Sequence, residues 1–314
     1  MYIYAECFHI KQFYFISRLN YKKNMYNFDL HIHSTLSDGE LSPFDIVQMA
    51  KRNNVKILAI TDHDIVSEKN EIIPLLKKHS IEFLHGVEIN CSHKSLRLEV
   101  LGYNIDPSNK KLSKKLQEMR NYREKRAKLM IKKLKDKGFE ISVERVSEIS
   151  GYGTIGRPHI AKALLEQGYV KSLNEAFRKY LGDNSPYYVK RMKLEAAEAI
   201  ALIRDAGGIP VHSHPGFFKT KNIKNHLIEL KKLGLMGVEV FYPYPAQLSL
   251  YNSSRIKLTP KKYEKYLLSL CEELDLIPTG GTDFHGGESY EKLLKKISHG
   301  FEKVAESGFL KSCI

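Results

Sequence analysis

Five short stretches of this chain gather the residue types that bind divalent metals. The first is Asp29-Leu30-His31-Ile32-His33-Ser34, followed by Ser37-Asp38-Gly39. Histidines at i and i+2 of a strand share one face, and Asp38 follows beside a glycine that lets the chain turn back. The others are Thr61-Asp62-His63-Asp64, Gly86-Val87-Glu88, His212-Ser213-His214-Pro215-Gly216 and Thr282-Asp283-Phe284-His285-Gly286. Each alone has an ordinary reading as a hydrogen-bonded histidine, a turn aspartate or an edge glutamate. Together His31, His33, Asp38, His63, Glu88, His214, Asp283 and His285 make a mixed nitrogen–oxygen donor set. Imidazole and carboxylate without cysteine suit Mn²⁺, Zn²⁺ or Fe²⁺ better than Mg²⁺ or Ca²⁺. So many donors exceed one ion and fit two or three that share a carboxylate and a hydroxide. Closely spaced metals make a nucleophile from water, so no protein nucleophile is needed.

The elements between these stretches alternate. A strand over 26–33 leads to a helix over 43–53, capped by Ser42 with Pro43 in its first turn; Phe44, Val47 and Ala50 are its expected inner face. A buried strand at 56–60 precedes a helix at 68–79 and strands at 82–87 and 97–103. The character then changes. A lysine- and arginine-rich helix over 109–137, with Leu112, Leu116, Met119, Leu129 and Leu134 near helical spacing, is followed by short helices at 143–149, 160–167 and 173–181. Alternation resumes with helix 195–206, strand 209–211, helix 224–233, strand 237–241, helix 260–274 and strand 276–279. About seven strand–helix units, with the polar clusters at strand ends, predict an α/β fold: a parallel, closed or nearly closed β/α barrel with chemistry on its C-terminal rim. The expected division is a barrel from 25–105 and 190–314, a helical insertion at 106–189, and an N-terminal extension at 1–24.

Composition narrows the setting. The 314 residues include ample apolar side chains for a core, and the formal net charge is +14. A basic surface draws anionic partners such as nucleotides or nucleic acid, although a lysine-rich composition alone produces the same charge. Cys7, Cys91, Cys271 and Cys313 show no CxxC pairing, which suits a reducing, cytoplasmic setting and no disulfide framework. No apolar run reaches the ~18 residues of a membrane span. Residues 1–24 lack the long apolar segment and small-residue cleavage site of a secretory signal. With Met25 just before the first strand, they are expected to be dispensable; a peripheral membrane anchor is the alternative.

The order DLHIHS–SDG, TDHD, GVE, HPG and TDFHG resembles the PHP superfamily, the polymerase and histidinol phosphatase domain. Gly156-Arg157-Pro158-His159-Ile160-Ala161 is similar to stand-alone phosphoesterases of that superfamily, which include nucleoside 3′,5′-bisphosphate phosphatases and 5′→3′ exoribonucleases of short RNA. The resemblance spans about residues 27–287. It implies a distorted (β/α)7 barrel of PHP type with a three-metal site: His31, His33, Glu88 and Asp283 on the first ion, Glu88 bridging to a second completed by His214, and Asp38, His63 and His285 on the third. It further implies that Arg157 and His159 reach the substrate phosphate; from the residues alone, Arg157-Pro158-His159 reads first as a surface turn opening a helix.

Two positions depart from the pattern. Glu99 stands where the subgroup has a histidine eleven residues after the bridging glutamate. His212 replaces an apolar residue two positions before His214, and an i,i+2 strand spacing would aim it at the same ion. Glu99 and His212 are therefore both candidates for the second metal, with His212 reading equally as a buried histidine bonded to backbone. The segment Phe241-Tyr242-Pro243-Tyr244-Pro245 also differs from the short loop usual there. The expected activity is metal-dependent hydrolysis of a phosphate ester of a nucleotide, of the nucleoside 3′,5′-bisphosphate class. Alternatives are a 5′→3′ exonuclease on short RNA or DNA, a histidinol-phosphate phosphatase, and a non-catalytic nucleic-acid-binding barrel.

Overall fold

The computed structural model describes residues 27–307 apart from 68–71, Tyr152, Lys193, Lys219, Lys221, Ser253 and Arg255. The expectations for residues 1–24, for Cys7 and Cys313, and for the start of helix 68–79 lie outside the described residues. Seven strands form one sheet in the order β1 (Asn27–Asp29), β2 (Val55–Ile60), β3 (Glu82–His93), β4 (Leu96–Tyr103), β5 (Ile209–His212), β6 (Gly237–Phe241) and β9 (Ile277–Gly280). Backbone bonds join its two ends. Leu30 N–H donates to Gly280 O (3.2 Å), Asp283 N–H to His31 O (2.7 Å) and His33 N–H to Phe284 O (3.0 Å). The sheet is thereby a distorted barrel, and these closing bonds run through the HxH segment itself.

The barrel is not all parallel, which corrects the sequence expectation. β1, β2 and β3 run parallel, as do β5, β6 and β9, but β4 is antiparallel to both its neighbours. The cause is the two-residue turn Lys94-Ser95, with φ of +48° and +68°. Such a turn makes a hairpin and leaves no chain for a crossover helix. β3 therefore runs five residues past Glu88, which sits in mid-strand rather than at a strand end. Because β4 runs backwards, its first half lies at the rim that the other strands reach with their last residues. That brings Glu99 opposite Asn90 of β3.

Helices cover the barrel: α1 (Pro43–Arg52), α2 (Ile73–His79), α7 (Ala196–Asp205), α8 (Ile223–Lys232), α9 (Pro260–Leu274), α10 (Tyr290–Ile297) and α11 (Phe301–Glu306). Ser42 caps α1, its side chain accepting from Asp45 N–H, with Pro43 in the first turn. The buried face of α1 is Ile46, Val47, Met49 and Ala50, while the expected Phe44 is half exposed. The pair β7 (Leu250–Tyr251) and β8 (Lys257–Leu258) and the helices α10 and α11 had no counterpart in the sequence reading.

Between β4 and β5 lie α3 (Lys110–Lys135), α4 (Val143–Ser150), α5 (Arg157–Glu166) and α6 (Leu173–Ala176), the last continued by a π-turn at Phe177–Leu181. At ~1.5 Å per residue, α3 is long enough to serve two cores. Leu112, Leu116 and Met119 belong to the barrel core. Ala127, Met130, Ile131 and Leu134 belong to a second core with Val146, Ile160, Leu164 and Leu181. Leu129, expected inside, is exposed because the stripe runs through 127, 130, 131 and 134. Among the described residues no helix is long and apolar enough to cross a membrane, and Cys91 and Cys271 are free and buried.

The closure at β9 depends on Gly281. A Cβ there would overlap the His31 backbone nitrogen and Cβ, a clash that only backbone movement relieves. Gly281→Ala should therefore destabilise the fold by at least ~1–3 kcal/mol, read as a lower urea midpoint for metal-free protein. An unchanged midpoint would mean that β1 and β9 are not held in this contact.

Candidate metal centre

Glu88 occupies the middle of the cluster. It is buried on β3, and four imidazoles approach its carboxylate: His31 Nε2 at 3.5 Å, His33 Nε2 at 3.3 Å, His63 Nδ1 at 3.1 Å and His214 Nε2 at 3.3 Å. Asp283 Oδ1 lies 3.3 Å from His31 Nε2 and 3.2 Å from His33 Nε2. Glu99 Oε2 lies 3.4 Å from His214 Nε2. On the other side Asp38 faces His285 Nε2 at 3.5 Å, His33 Nδ1 at 3.6 Å and His63 Nε2 at 3.9 Å. Four overlapping sets of the described residues could each hold an ion: His31, His33 and Asp283; His31, Glu88 and His214; His33, Asp38, His63 and His285; and His63, Glu88 and Glu99. The structure thus brings together all eight residues singled out in the sequence, and adds Glu99 at its edge.

Backbone geometry at the rim aims these side chains. Asp283 and His214 have φ of +53° and +23°, values uncommon for residues with a Cβ and found where a site over-determines the chain. The positive φ at His214 also breaks the strand alternation. His212, still in β5, turns away from the cluster and packs edge-on against Phe218 and His226 at 5.4 Å; its Nδ1 is 2.8 Å from Ser213 O. Of the two readings open for His212, the structure has the buried histidine bonded to backbone rather than the ligand beside His214.

Several acids hold the cluster without belonging to it. Glu239, buried on β6, sets Oε1 3.0 Å from His31 Nδ1 and accepts the His214 N–H at 2.7 Å on Oε2. With the His31 Nδ1–H donating to Glu239, the Nε2 lone pair points into the cluster. Asp62 accepts from Ser34 N–H (2.7 Å), Ser34 Oγ (2.6 Å) and Ser37 Oγ (2.5 Å), fixing the loop that carries Asp38. Tyr242 donates to Asp283 Oδ2 at 2.8 Å, which leaves Oδ1 for the cluster. Glu239 and Tyr242 were missed as site residues, yet an acid within the apolar run Gly237-Val238-Glu239-Val240-Phe241 was a readable signal, because unpaired buried acids are rare.

The donors fit divalent ions. His31 Nε2 and His33 Nε2 face each other at 3.2 Å among carboxylate oxygens, and no lysine or arginine of the described residues pairs with Glu88, Asp38 or Asp283. A buried set of converging lone pairs needs protons or cations between them. Without metal, protons take that role. The surrounding carboxylates overcome burial and raise His33 to about 10 and His214 to about 9. Glu88 and Asp38 are held well below the usual carboxylate range by the facing imidazoles.

A cleft separates this cluster from the insertion. Asp38, His63, Asp64, Asn90 and Glu99 line it together with Arg123, Arg126, Arg157 and Arg191. Arg123 and Arg126 lie one helical turn apart on α3. Each guanidinium has an anchor: Asp64 Oδ2 for Arg123 (2.5 Å), Val189 O for Arg126 (2.7 Å), Leu181 O for Arg157 (3.2 Å) and Asn90 Oδ1 for Arg191 (2.9 Å). Burial and mutual repulsion lower Arg126 to about 10 and also lower Arg157 and Arg191, so the arginine group favours an anion. Arg157 stands in the cleft as expected. His159 does not line it: it is buried at the start of α5, where Nδ1 accepts the Gly156 N–H at 3.0 Å. Through that bond His159 sets the Gly156–Arg157 turn.

Comparison with known proteins agrees with this geometry. The PHP domain family matches residues 29–208. A 5′-3′ exoribonuclease of Haemophilus influenzae is 31% identical over 260 residues, covering 82% of this chain and 89% of that protein. A 3′,5′-nucleoside bisphosphate phosphatase of Chromobacterium violaceum is 32% identical over 219 residues, covering 69% and 77%. Among solved structures, a Bifidobacterium adolescentis protein provisionally assigned as a metal-dependent phosphoesterase superposes with a TM-score of 0.72 at 27% identity, covering 87% of this chain and 95% of that one.

Two outcomes follow from the electrostatics. Because His33 and His214 titrate at about 10 and 9 without metal, metal uptake at pH 7 should release protons, and apparent affinity should rise with pH up to those values. Calorimetry in buffers of different ionisation heat reads the release; none at all would contradict the protonated cluster. Their protonation stabilises metal-free protein fully below about pH 6.5, the ordinary histidine value, and that contribution disappears as pH rises through 9 to 10. Glu239→Gln should weaken metal binding ~10–100-fold, measured by competition with a chromogenic chelator. Unchanged affinity would remove Glu239 from the support of His31.

Proposed function

The chain belongs to the PHP domain family, and from that premise we propose that it is a metal-dependent phosphatase of nucleoside 3′,5′-bisphosphates. The observation that carries the reading is a cleft lined both by residues of the metal-capable cluster and by four arginines. A substrate with two phosphates matches both: one at the reacting centre, one on the guanidinium groups. Planar guanidinium forks suit phosphate better than lysine does. The relatives named as a nucleoside bisphosphate phosphatase and an exoribonuclease support a nucleotide substrate.

We assign His31, His33, Glu88 and Asp283 to a first ion, Glu88, His214 and Glu99 to a second, and Asp38, His63 and His285 to a third. Mn²⁺ is the favoured occupant for these nitrogen and oxygen donors, ahead of Zn²⁺ and Fe²⁺. When bound, such ions activate water at neutral pH and hold phosphate oxygens. The remaining work falls to the chain. Glu239 and Tyr242 fix His31 and Asp283 in single orientations. Arg157, leaning on the Phe177 ring and on Leu181 O, and Arg126, its guanidinium over the Tyr188 ring, hold the non-reacting phosphate. Phe217, 44% exposed and packed against Tyr242, offers a face for the base. The buried free thiols of Cys91 and Cys271 suit a cytoplasmic, reducing setting.

A second reading, 5′→3′ hydrolysis of short RNA, is favoured by one further observation. A groove lined by Phe217, Tyr242, Pro243, Asp283 and His285 adjoins the cluster, so a chain could lie across the centre. It uses the same residues, and the arginines would then hold the 5′-phosphate.

Substrate comparison separates the two. Release of phosphate from 3′-phosphoadenosine 5′-phosphate should exceed cleavage of a 5′-phosphorylated trinucleotide at equal concentration; the reverse order would favour the exonuclease. Arg126→Ala should lower kcat/KM ~10–100-fold through loss of a charged hydrogen bond, and much less for a substrate lacking the second phosphate. Asp283→Ala and His63→Ala should abolish turnover in folded, metal-supplied protein. Near-native rates in either would refute the assignment.

A further inference from the structure

Away from the cleft, a second group of donors has no role in the proposed reaction. We infer that His93, His226 and Glu229 form a separate site for one zinc-type transition-metal ion, which clamps the β3–β4 hairpin to α8. Their ligand atoms all lie within 4.8 Å of one another. His93 Nε2 is 3.0 Å from Glu229 Oε2, close to the ~3.3 Å edge that Zn–N and Zn–O bonds of ~2.0–2.1 Å give a tetrahedron. His226 and Glu229 are three residues apart on α8, hence on one face. His93 ends β3 just before the Lys94-Ser95 turn.

An independent observation points to a ligand. His226 is buried, yet its Nε2 makes no hydrogen bond. Phe218 stacks on the ring at 4.0 Å and 24°, so it is held rather than free to find a partner. Burial and the neighbouring His93 lower its pKa to about 4, which keeps the imidazole neutral with a lone pair available. Lys94 Nζ takes the other carboxylate oxygen, Glu229 Oε1, at 2.6 Å, leaving Oε2 for an ion. His93 and Glu229 are partly exposed, so an ion can enter and water can fill the fourth position.

The site is distinct from the central cluster. His93 lies five residues beyond Glu88 on the same strand, roughly 17 Å along it. An ion here would fix the hairpin whose two strands carry Glu88 and Glu99. Its occupancy would therefore tighten the wall of the centre without touching substrate.

Zinc stoichiometry tests this on the full chain. Wild type, Glu229→Gln and His93→Asn are loaded with Zn²⁺, passed through gel filtration and assayed for bound zinc. Far-UV circular dichroism checks that each is folded. Each variant should retain one equivalent less than wild type while its Mn²⁺-supported phosphatase rate stays within about twofold. Equal zinc content in wild type and variants would overturn the site. This result is independent of the proposed substrate, because activity is not the primary readout.

Discussion

A buried carboxylate in the middle of a strand is the constraint on which the rest depends. Glu88 sits among four histidines with almost no exposure to water. Alone, a charge in that position would cost several kcal/mol and would protonate or unfold the strand. It is tolerable only because His31, His33, His63 and His214 arrive from three other segments of the barrel. Closing the barrel and building the centre are thus one event. The hydrogen bonds that join β1 to β9 run through His31, His33 and Asp283, so the same backbone that seals the sheet delivers the donors.

Around that centre the fold divides its labour. Carboxylates beneath the rim, Glu239 and Asp62, orient first the histidines and then the loop of Asp38. The insertion supplies the opposite charge. α3 spans both cores and puts Arg123 and Arg126 where the two meet, so these arginines stay in register with the metal cluster through a single rigid helix. Metal-capable donors and guanidinium groups thus line one cleft.

Much of this was legible in the sequence because strand-end chemistry leaves local signatures. The eight clustered histidines and acids, the Ser42 cap and the apolar run of β2 are each visible within a few residues. What escaped was set by longer-range or finer geometry. Two positive-φ residues, Lys94 and Ser95, turn β4 against its neighbours, and neither is a glycine or an asparagine that would have announced a hairpin. His212 read as either a partner of His214 or a buried histidine bonded to backbone, and only the φ of His214, which ends the alternation, decides between them. Glu239 is chemically conspicuous but speaks only when its strand is placed next to His31. The inner faces of α1 and α3 were each misjudged at one residue, Phe44 and Leu129, since an apolar stripe read without its neighbours can slip by one position.

The central claim is that Glu88 is shared between adjacent metal ions. Anomalous diffraction from crystals of Mn²⁺-loaded protein reads this directly. The account predicts two or three peaks ~3.5–4 Å apart, with Glu88 contacting at least two and Glu99, not His212, beside His214. A single peak, or peaks that leave Glu88 without an ion, would contradict it.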